Sequence, residues 1–301
     1  MIQNKLKFGV MGLSDGNGHP YSWSAIINGY DSEYMQKCPF PVISKYLEEN
    51  EANTKPFESV EVTHIWTQSR QISEGVARCS KISNIVDDYL DMADEVDAIL
   101  LARDDAENHY TMSMPFLEKG IPVFIDKPLS YTLQGAKNIL NLQQYEGQVF
   151  TASSILYSDE LAISAEQRSS MGPIKYISAT VNKMWQKYGI HLIDPVLNII
   201  GSSDGFKFKL VNVSKRGNLQ INRFIINDIL VDFVCSGSPS APISINVHGE
   251  NESHMLKLSN AYNAFRNSLE KYIDSVKSKT SSRSQGEILA SIAILEAGLS
   301  G

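Results

Sequence analysis

Short apolar runs separated by helical segments fill the first 128 residues, and this alternation restricts the possible folds more than any other feature. Continuous apolar runs such as residues 96–102 and 123–125 are typical of strands buried on both faces of a parallel sheet. Two further strand-like runs cover residues 7–11 and 60–66, and a short helix is predicted at 87–93. Strands that alternate with helices in this way predict a parallel, doubly wound α/β sheet.

The second half of the chain has a different pattern, because its strand-like segments are separated by turns such as Gly217-Asn218. The segments are residues 174–183, 207–216, 223–226, 229–235 and 242–248, and helical patterns follow at 260–276 and, after a polar loop at 277–285, at 287–297. A strand at 148–153 and a helix at 159–169 are predicted before them. Closely spaced strands predict a mostly antiparallel sheet with one exposed face. We therefore expect a Rossmann-like α/β domain at residues 1–128 and an α+β domain with a mostly antiparallel sheet at residues 129–301.

Charge and composition argue against several classes of protein. A formal net charge of −7 without a cluster of Lys and Arg argues against a nucleic-acid-binding surface. No apolar stretch approaches the length of a membrane span, so no membrane association is expected. The three cysteines are far apart and odd in number, which favours a reducing cytoplasm. Neither the cysteines nor the six histidines have the spacing of a metal site.

The loop after the first strand, GLSDGNG, is a candidate phosphate-binding loop. A glycine-rich turn that leads from a first strand into a helix cradles the phosphates of dinucleotides. Gly12 fits the first position of G-x-G-x-x-G, Ser14 and Asn17 take the second and third, and Gly16 lies beside them. Ser14 is expected to donate a hydrogen bond to a phosphate. A plain tight turn is the alternative.

The loops after the next strands add candidate cofactor contacts. An acid at the end of the second strand would bind the ribose 2′-hydroxyl, but the chain has Thr67, Gln68, Ser69 and Arg70 there. Hydroxyls followed by an arginine suit a 2′-phosphate, so the pattern favours NADP over NAD. Arg103, which follows the strand at 96–102, is a further candidate contact.

Lys127 is the first candidate for catalysis. It lies in the sequence Asp126-Lys127-Pro128, where the proline ends a buried strand. The carboxyl end of such a strand is where open α/β sheets bind ligands. Lys127 is therefore predicted to hold a substrate hydroxyl or to move a proton, with a solvated loop lysine as the alternative.

His191 and Asp194 are the second candidates. Apolar residues at helical spacing predict an amphipathic helix that ends at Gly201 and carries His191 and Asp194 on one face. A histidine in the first turn can exchange protons with a ligand near neutral pH, and Asp194 can fix its tautomer or anchor the helix. The alternative is a core histidine beside a capping aspartate.

The order of these features resembles the Gfo/Idh/MocA family of sugar and cyclitol oxidoreductases, nearly from end to end. Residues 96–130 are most similar, with His109 before a helix and Lys127-Pro128 in the family's E-K-P position, where Asp126 replaces Glu. Residues 188–201, YGIHLIDPVLNIIG, resemble the segment that carries the family's catalytic histidine.

This resemblance implies an NAD(P)-dependent oxidoreductase that acts on a sugar, a nucleotide sugar or a cyclitol. Lys127 would hold the reacting hydroxyl and line the nicotinamide pocket, and His191 would take the hydroxyl proton as hydride leaves. The chemistry requires such a base, because hydride loss from an alcohol carbon needs removal of the O–H proton. Antiparallel sheets in this architecture usually pair between subunits, which predicts a homodimer or homotetramer.

Three departures from the family pattern keep other functions open. Many members have an acid four residues before the histidine, where this chain has Lys187. The glycine loop is degenerate, and the acid after the second strand is missing. One alternative is a glycoside hydrolase in which tightly held NAD oxidises the sugar transiently. The other is a non-catalytic ligand-binding or regulatory protein.

Overall fold

The structure is a computed structural model that describes residues 5–51, 55–202, 205–238 and 241–299. The chain forms two compact units, each containing a six-stranded sheet. The first unit comprises Met1–Leu129, Asn138–Thr151 and Phe265–Ser282, and the second comprises Ser130–Lys137, Ala152–Ala264 and Arg283–Gly301.

The sheet of the first unit is parallel in all of its strand pairs. Its strands are β1 (Leu6–Met11), β2 (Val60–Trp66), β3 (Asn84–Ile85), β4 (Ala98–Leu101), β5 (Val123–Ile125) and β6 (Val149–Phe150). The order is β3-β2-β1-β4-β5-β6, so the direction of winding reverses between β1 and β4. All four residues of β4 and all three of β5 are buried, as the continuous apolar runs predict.

Helices flank this sheet or connect its strands. They are α1 (His19–Asn28), α2 (Ser32–Met35), α3 (Pro41–Glu49), α4 (Arg70–Ser80), α5 (His109–Glu118) and α6 (Leu133–Leu140). The short helix predicted at 87–93 is a 3-10 helix at Tyr89–Asp94, where the Asp88 carboxylate accepts from the Leu90 N–H. The alternation of strands and helices confirms the predicted Rossmann-like sheet.

Two predicted elements differ in the structure. The strand predicted at 148–153 ends at Phe150, because the chain turns at Ser153 into a 3-10 helix at Ser154–Tyr157. The helix predicted at 159–169 is divided into a 3-10 helix at Asp159–Leu161 and α7 (Ala165–Met171). Ser164 starts α7 through a capping box with Gln167, which fixes the helix start later than apolar spacing predicts.

The sheet of the second unit is mostly antiparallel, as predicted. Its strands are β7 (Ile174–Val181), β8 (Phe208–Arg216), β9 (Leu219–Ile226), β10 (Ile229–Cys235), β11 (Ser244–Gly249) and β12 (Ser253–Lys257). The order is β12-β11-β7-β10-β9-β8, and the β7–β10 pair is parallel. Sequence analysis missed β12, a five-residue strand with two buried or half-buried positions.

One face of this second sheet carries the core of its unit. Ile177, Ala179 and Val181 of β7 are fully buried, whereas the intervening residues are partly exposed. This core includes residues of α9 (Ile190–Ile200) and α11 (Gln285–Leu299), such as Leu192 and Leu295. The remaining helices are α8 (Trp185–Tyr188) and α10 (Ala261–Ser278). No helix in the described part of the chain is long and apolar enough to cross a membrane.

Candidate active-site residues

The loop after β1 is tied to the loop after β2 by hydrogen bonds. The Gly12 N–H donates to the Trp66 carbonyl over 3.0 Å. The Leu13 N–H donates to the Gln68 side-chain oxygen over 2.8 Å, and the Gln68 amide donates to the Leu13 carbonyl over 2.7 Å. Three hydrogen bonds therefore fix the start of the candidate phosphate-binding loop at the carboxyl end of the sheet.

The glycines of this loop have different roles. A Cβ at Gly12 would overlap the ring of Pro20, so this glycine lets α1 approach β1 closely. A Cβ at Gly18 would lie 2.6 Å from Ile43 Cδ1, which again concerns internal packing. Gly16 has a φ of 73°, and no heavy atom of the described residues lies within 4 Å of the position of its Cβ. The loop is thus open to solvent at Gly16.

The side chains of Ser14 and Asn17 point into the protein. Ser14 Oγ donates to Asp104 Oδ1 over 2.7 Å and accepts from the Asp104 N–H over 3.0 Å. The Asn17 amide donates to Asp126 Oδ2 over 2.8 Å. Both side chains are buried. The two residues that replace glycines of the motif therefore anchor the loop to acids that follow β4 and β5.

Asp126 lies at the centre of a cluster of charged and polar side chains in this unit. His19 Nδ1 lies 2.6 Å from Asp126 Oδ2, and the His19 ring stacks on Trp23. Burial alone would raise the pKa of Asp126. The charge and hydrogen bond of His19, with smaller contributions from Lys127 and Asn17, together outweigh this effect and lower the pKa of Asp126 to about 2. Asp126 is thus an ionised carboxylate inside the fold.

Lys127 is buried beside two acids, Asp104 and Asp126. Its backbone N–H donates to Asp126 Oδ1 over 2.7 Å, and its Nζ lies 3.5 Å from Asp104 Oδ2. The side chain is 6% exposed. The alternative of a solvated loop lysine is therefore excluded, because the ammonium group is buried at the carboxyl end of β5.

The other predicted cofactor contacts are held by neighbouring residues. Arg103 forms a bidentate ion pair with Asp105. Thr67 Oγ1 donates to the Ser69 carbonyl over 2.7 Å and lies 2.9 Å from Ser73 Oγ, so it fixes the first turn of α4.

Two further residues of the sequence motifs lie in contrasting surroundings. Arg70 begins α4 and pairs with Asp87, and more than half of its side chain is exposed. His109 is fully buried, with its ring nitrogens 3.1 Å from the Leu129 carbonyl and 2.8 Å from the Arg103 carbonyl. His109 therefore ties the loops after β4 and β5 to each other.

In the second unit, His191 lies in the first turn of α9, as predicted. Its Nδ1 is 2.6 Å from Ser153 Oγ, and its ring lies 5.2 Å from the Tyr188 ring. The start of the helix is fixed by Trp185, whose Nε1 donates to the Leu295 carbonyl over 2.9 Å. A Cβ at Gly189 would lie 2.7 Å from the Trp185 ring, so this glycine allows α8 to turn into α9.

Asp194 is fully buried and forms hydrogen bonds with three residues. The Arg283 guanidinium donates to both carboxylate oxygens over 3.0 and 3.3 Å. The Ser291 hydroxyl donates to Oδ1 over 2.7 Å, and the Ser153 N–H donates to Oδ2 over 2.8 Å. Asp194 therefore joins α9 to α11 and to the turn that carries Ser153.

Sequence reasoning did not identify four of these residues. His19 and Asp104 have no spacing that links them to Asp126 or Lys127, and Ser153 precedes His191 by 38 residues. Arg283 follows Asp194 by 89 residues, in a segment that the sequence marks only as a polar loop. The D-K-P and H-x-x-D patterns identify two members of each cluster and contain no signal for the others.

The carboxyl edge of the first sheet fits a dinucleotide by its backbone geometry. The strand order reverses between β1 and β4, and ligands bind at this position in doubly wound sheets. Gly12 allows the close approach of strand and helix, and the loop is open at Gly16. Within the described ranges, no group of three or more His, Cys, Asp and Glu side chains is arranged to hold a metal ion.

A comparison with protein-family models finds a match to part of the chain. Residues 43–154 match the model of the GFO_IDH_MocA family, described as an oxidoreductase family with an NAD-binding Rossmann fold. No curated protein matches the chain by sequence.

Several solved structures share the fold. Myo-inositol 2-dehydrogenase from Lactobacillus plantarum has a TM-score of 0.72 at 12% identity, covering 99% of this chain and 97% of that one. Apo scyllo-inositol dehydrogenase from Lactobacillus casei has a TM-score of 0.70 at 12% identity, covering 100% and 98%. GenD2 from gentamicin A biosynthesis, solved in complex with NAD, has a TM-score of 0.71 at 11% identity, covering 100% and 95%.

These similarities show the fold over nearly the whole chain, while the family match covers the segment from α3 to the turn after β6. The resemblance predicted from the sequence is thereby confirmed: residues 43–154, which include the D-K-P motif, match the Gfo/Idh/MocA family of oxidoreductases.

Proposed function

We propose that this protein is an NAD(P)-dependent oxidoreductase that acts on a hydroxyl or keto carbon of a sugar, a nucleotide sugar or a cyclitol. The observation that carries the proposal is the buried ammonium group of Lys127 at the carboxyl end of β5, within the segment that matches the family. The inositol dehydrogenases among the structures of the same fold support a polyhydroxylated substrate.

In this proposal Lys127 and His191 have separate roles. Lys127 donates a hydrogen bond to the oxygen of the reacting carbon, and the nearby carboxylate of Asp104 orients its ammonium group. His191 takes the hydroxyl proton in the oxidation direction and returns it in the reduction direction. A nicotinamide cofactor held by residues 12–18 would provide the hydride acceptor or donor. Asp194 acts through the residues that it anchors, because its oxygens are occupied by Arg283, Ser291 and Ser153.

The cofactor would be held mainly by the main chain of residues 12–18. Gly16 offers the open side of the loop, and Ser14 and Asn17 keep the loop in place. Arg103 lies at the same edge of the sheet. Thr67 and Arg70 follow β2, where a 2′-phosphate would bind, and Arg70 is exposed enough to exchange Asp87 for a phosphate. We therefore favour NADP over NAD.

The two parts of the chain would have different functions. Residues 1–128 would bind the dinucleotide, and residues 129–301 would bind the substrate and form a homodimer or homotetramer. Self-association through the sheet of the second unit is supported by the apolar residues on its exposed face, such as the exposed side chains of Ile225 and Met255. We expect the protein to work in the cytoplasm, since Cys38, Cys79 and Cys235 are free, buried thiols.

The test is an assay of the purified protein with NAD and NADP against a panel of inositols, aldoses and nucleotide sugars. Formation of NAD(P)H with one substrate class is expected, and Lys127→Met or His191→Asn should lower kcat about a hundredfold or more. Lys119→Met is the matched control, since that lysine forms an exposed ion pair with Asp94.

Other outcomes of this assay would contradict the proposal. Release of sugar from glycosides without accumulated NAD(P)H would indicate the hydrolase. The absence of calorimetric binding by either dinucleotide would indicate a non-catalytic protein. The inward orientation of Ser14 and Asn17 favours this last alternative over the hydrolase, because both side chains donate hydrogen bonds to buried acids of the protein.

A further inference from the structure

Ser153 connects the candidate base of the second unit to a buried ion pair. Its hydroxyl oxygen lies 2.6 Å from His191 Nδ1, while its backbone N–H donates to Asp194 Oδ2 over 2.8 Å. The side chain is fully buried. A single residue thus contacts the imidazole through its side chain and the carboxylate through its main chain.

Hydrogen bonds to its main chain hold Ser153 in position. Asp194 also accepts hydrogen bonds from Arg283 and Ser291, so the acceptor of the Ser153 N–H is itself held by α11 and by the segment before it. The Ser153 carbonyl accepts from the Leu156 N–H over 2.9 Å, within the turn that starts the 3-10 helix. Because both main-chain groups of Ser153 are bound, its hydroxyl has a defined place beside the ring.

The hydroxyl of Ser153 faces Nδ1 of the His191 imidazole. The Tyr188 ring packs against His191 with an interplanar angle of 54°, which limits rotation of the imidazole from another side. A hydroxyl can accept a hydrogen bond from an N–H group in both protonation states of a histidine. A neutral histidine whose Nδ1 carries the proton has its lone pair at Nε2, which is the form that a general base requires.

We propose that Ser153 is the positioning residue of His191: it accepts a hydrogen bond from Nδ1–H and thereby keeps Nε2 as the atom that exchanges a proton with the substrate. This inference rests on the proposed function of His191 as the general base. The ion pair of Asp194 and Arg283 supports the arrangement through the main chain of Ser153. Asp194 thus acts on the imidazole through Ser153.

The tautomer is measured directly by NMR of the full-length protein with ¹⁵N-labelled histidine, and the His191 signals are assigned by comparison with His191→Asn. In the wild-type protein at a pH where His191 is neutral, we expect the Nδ1–H tautomer. Ser153→Ala should shift the ring to a mixture with the Nε2–H tautomer. Ser154→Ala is the matched control, since that serine is buried in the same turn.

Kinetics supply the second measurement. Loss of one neutral hydrogen bond is worth about 1 kcal/mol, so Ser153→Ala should lower kcat about five- to tenfold. KM should change less than about twofold, because the substrate keeps its other contacts. Ser153→Thr retains the hydroxyl and should recover most of the rate. Thermal unfolding of each variant shows whether it is folded.

An Nε2–H tautomer in the wild-type protein would overturn the inference. An unchanged tautomer in a folded Ser153→Ala protein would also overturn it, and so would equal rates for folded Ser153→Ala and Ser153→Thr proteins. These results differ from a failure of the proposed function, because the NMR experiment needs neither cofactor nor turnover. If the wild-type protein turns over no substrate but has the expected tautomer, the positioning role stands and the oxidoreductase proposal fails.

Discussion

The two candidate reactive groups are held by networks of opposite character. In the first unit, Lys127 lies directly beside charged groups, with Asp104 as an ion-pair partner and Asp126 bound to its backbone N–H. In the second unit, a neutral serine hydroxyl touches His191, and the ion pair of Asp194 with Arg283 lies behind it. A nearby opposite charge favours the charged form of a group.

This contrast agrees with the two proposed roles. A lysine that holds a hydroxyl works as a permanent donor, so carboxylates beside it are an advantage. A histidine that moves a proton must alternate between two protonation states, and a neighbouring carboxylate would favour one of them. The proposed donor thus lies beside a carboxylate, whereas the proposed base has a serine hydroxyl beside its Nδ1.

The largest expected effect concerns the ion pair behind His191. Arg283→Met should lower the free energy of unfolding of the second unit by about 3–5 kcal/mol, because it leaves the carboxylate of Asp194 buried without its cation. The side chains of the pair are only 10% and 0% exposed. Hydrogen exchange of α9 followed by mass spectrometry, together with urea unfolding, measures the loss.

Arg223→Met is the matched control for this variant. Arg223 forms a similar bidentate ion pair with Asp232 on the exposed face of the second unit's sheet, but nearly half of the Arg223 side chain is exposed. A much smaller loss of stability is expected there. If both variants lose the same free energy of unfolding, the burial of Asp194 does not make its ion pair with Arg283 more important for stability than an exposed ion pair.

The next effect concerns the acid of the first unit. The pKa of Asp126 is lowered from 3.8 to about 2 in the folded protein. Its contribution to stability is therefore complete above about pH 4 and is lost as the pH falls through the folded value. Between about pH 5 and pH 2, the wild-type protein should lose about 2 kcal/mol more stability than Asp126→Asn.

Urea unfolding of both proteins at a series of pH values measures this difference. Asp94→Asn, which removes a largely exposed carboxylate, should follow the wild-type curve more closely. Parallel curves for wild-type and Asp126→Asn would show that the pairing with His19 adds no pH-dependent stability. The charged character of the first network would then be an incidental feature of its geometry.

The sequence predicts the folds of both units and the candidate reactive residues Lys127 and His191. It does not predict the hydrogen bonds and ion pairs that hold these two residues. Continuous apolar runs identify β4 and β5, and apolar spacing identifies α9, since these signals are local. The contact of Ser153 with His191 spans 38 residues, and that of Ser14 with Asp104 spans 90. Such contacts depend on how strands and turns meet in space, for which a single sequence contains no period or spacing. Ser14 and Asn17 are recognisable as loop residues, but their inward direction is set by the acids that they meet.

A smaller effect distinguishes anchoring from phosphate binding at Ser14. Ser14→Ala should lower the stability of the first unit by about 1–2 kcal/mol, because Asp104 loses a buried hydrogen-bond donor. The Kd of NAD(P), measured by calorimetry, should change less than about threefold, since the hydroxyl is bound to the acid. A tenfold or greater rise in Kd would indicate that Ser14 turns toward a phosphate when the dinucleotide binds.

The smallest effect on stability is expected at Arg70, although its effect on affinity is informative. Its ion pair with Asp87 is exposed, so Arg70→Gln should change the free energy of unfolding by less than about 0.5 kcal/mol. If Arg70 binds a 2′-phosphate, the Kd of NADP should rise about tenfold or more, because a charge-assisted hydrogen bond is lost, while the Kd of NAD stays the same. Arg78→Gln, in the last turn of the same helix, is the control and should leave both Kd values unchanged. An equal rise for NAD and NADP would place Arg70 at a shared part of the cofactor, and the preference for NADP would lose its support. This variant therefore separates a charge that recognises the cofactor from the buried charges around Lys127, which stay paired within the protein.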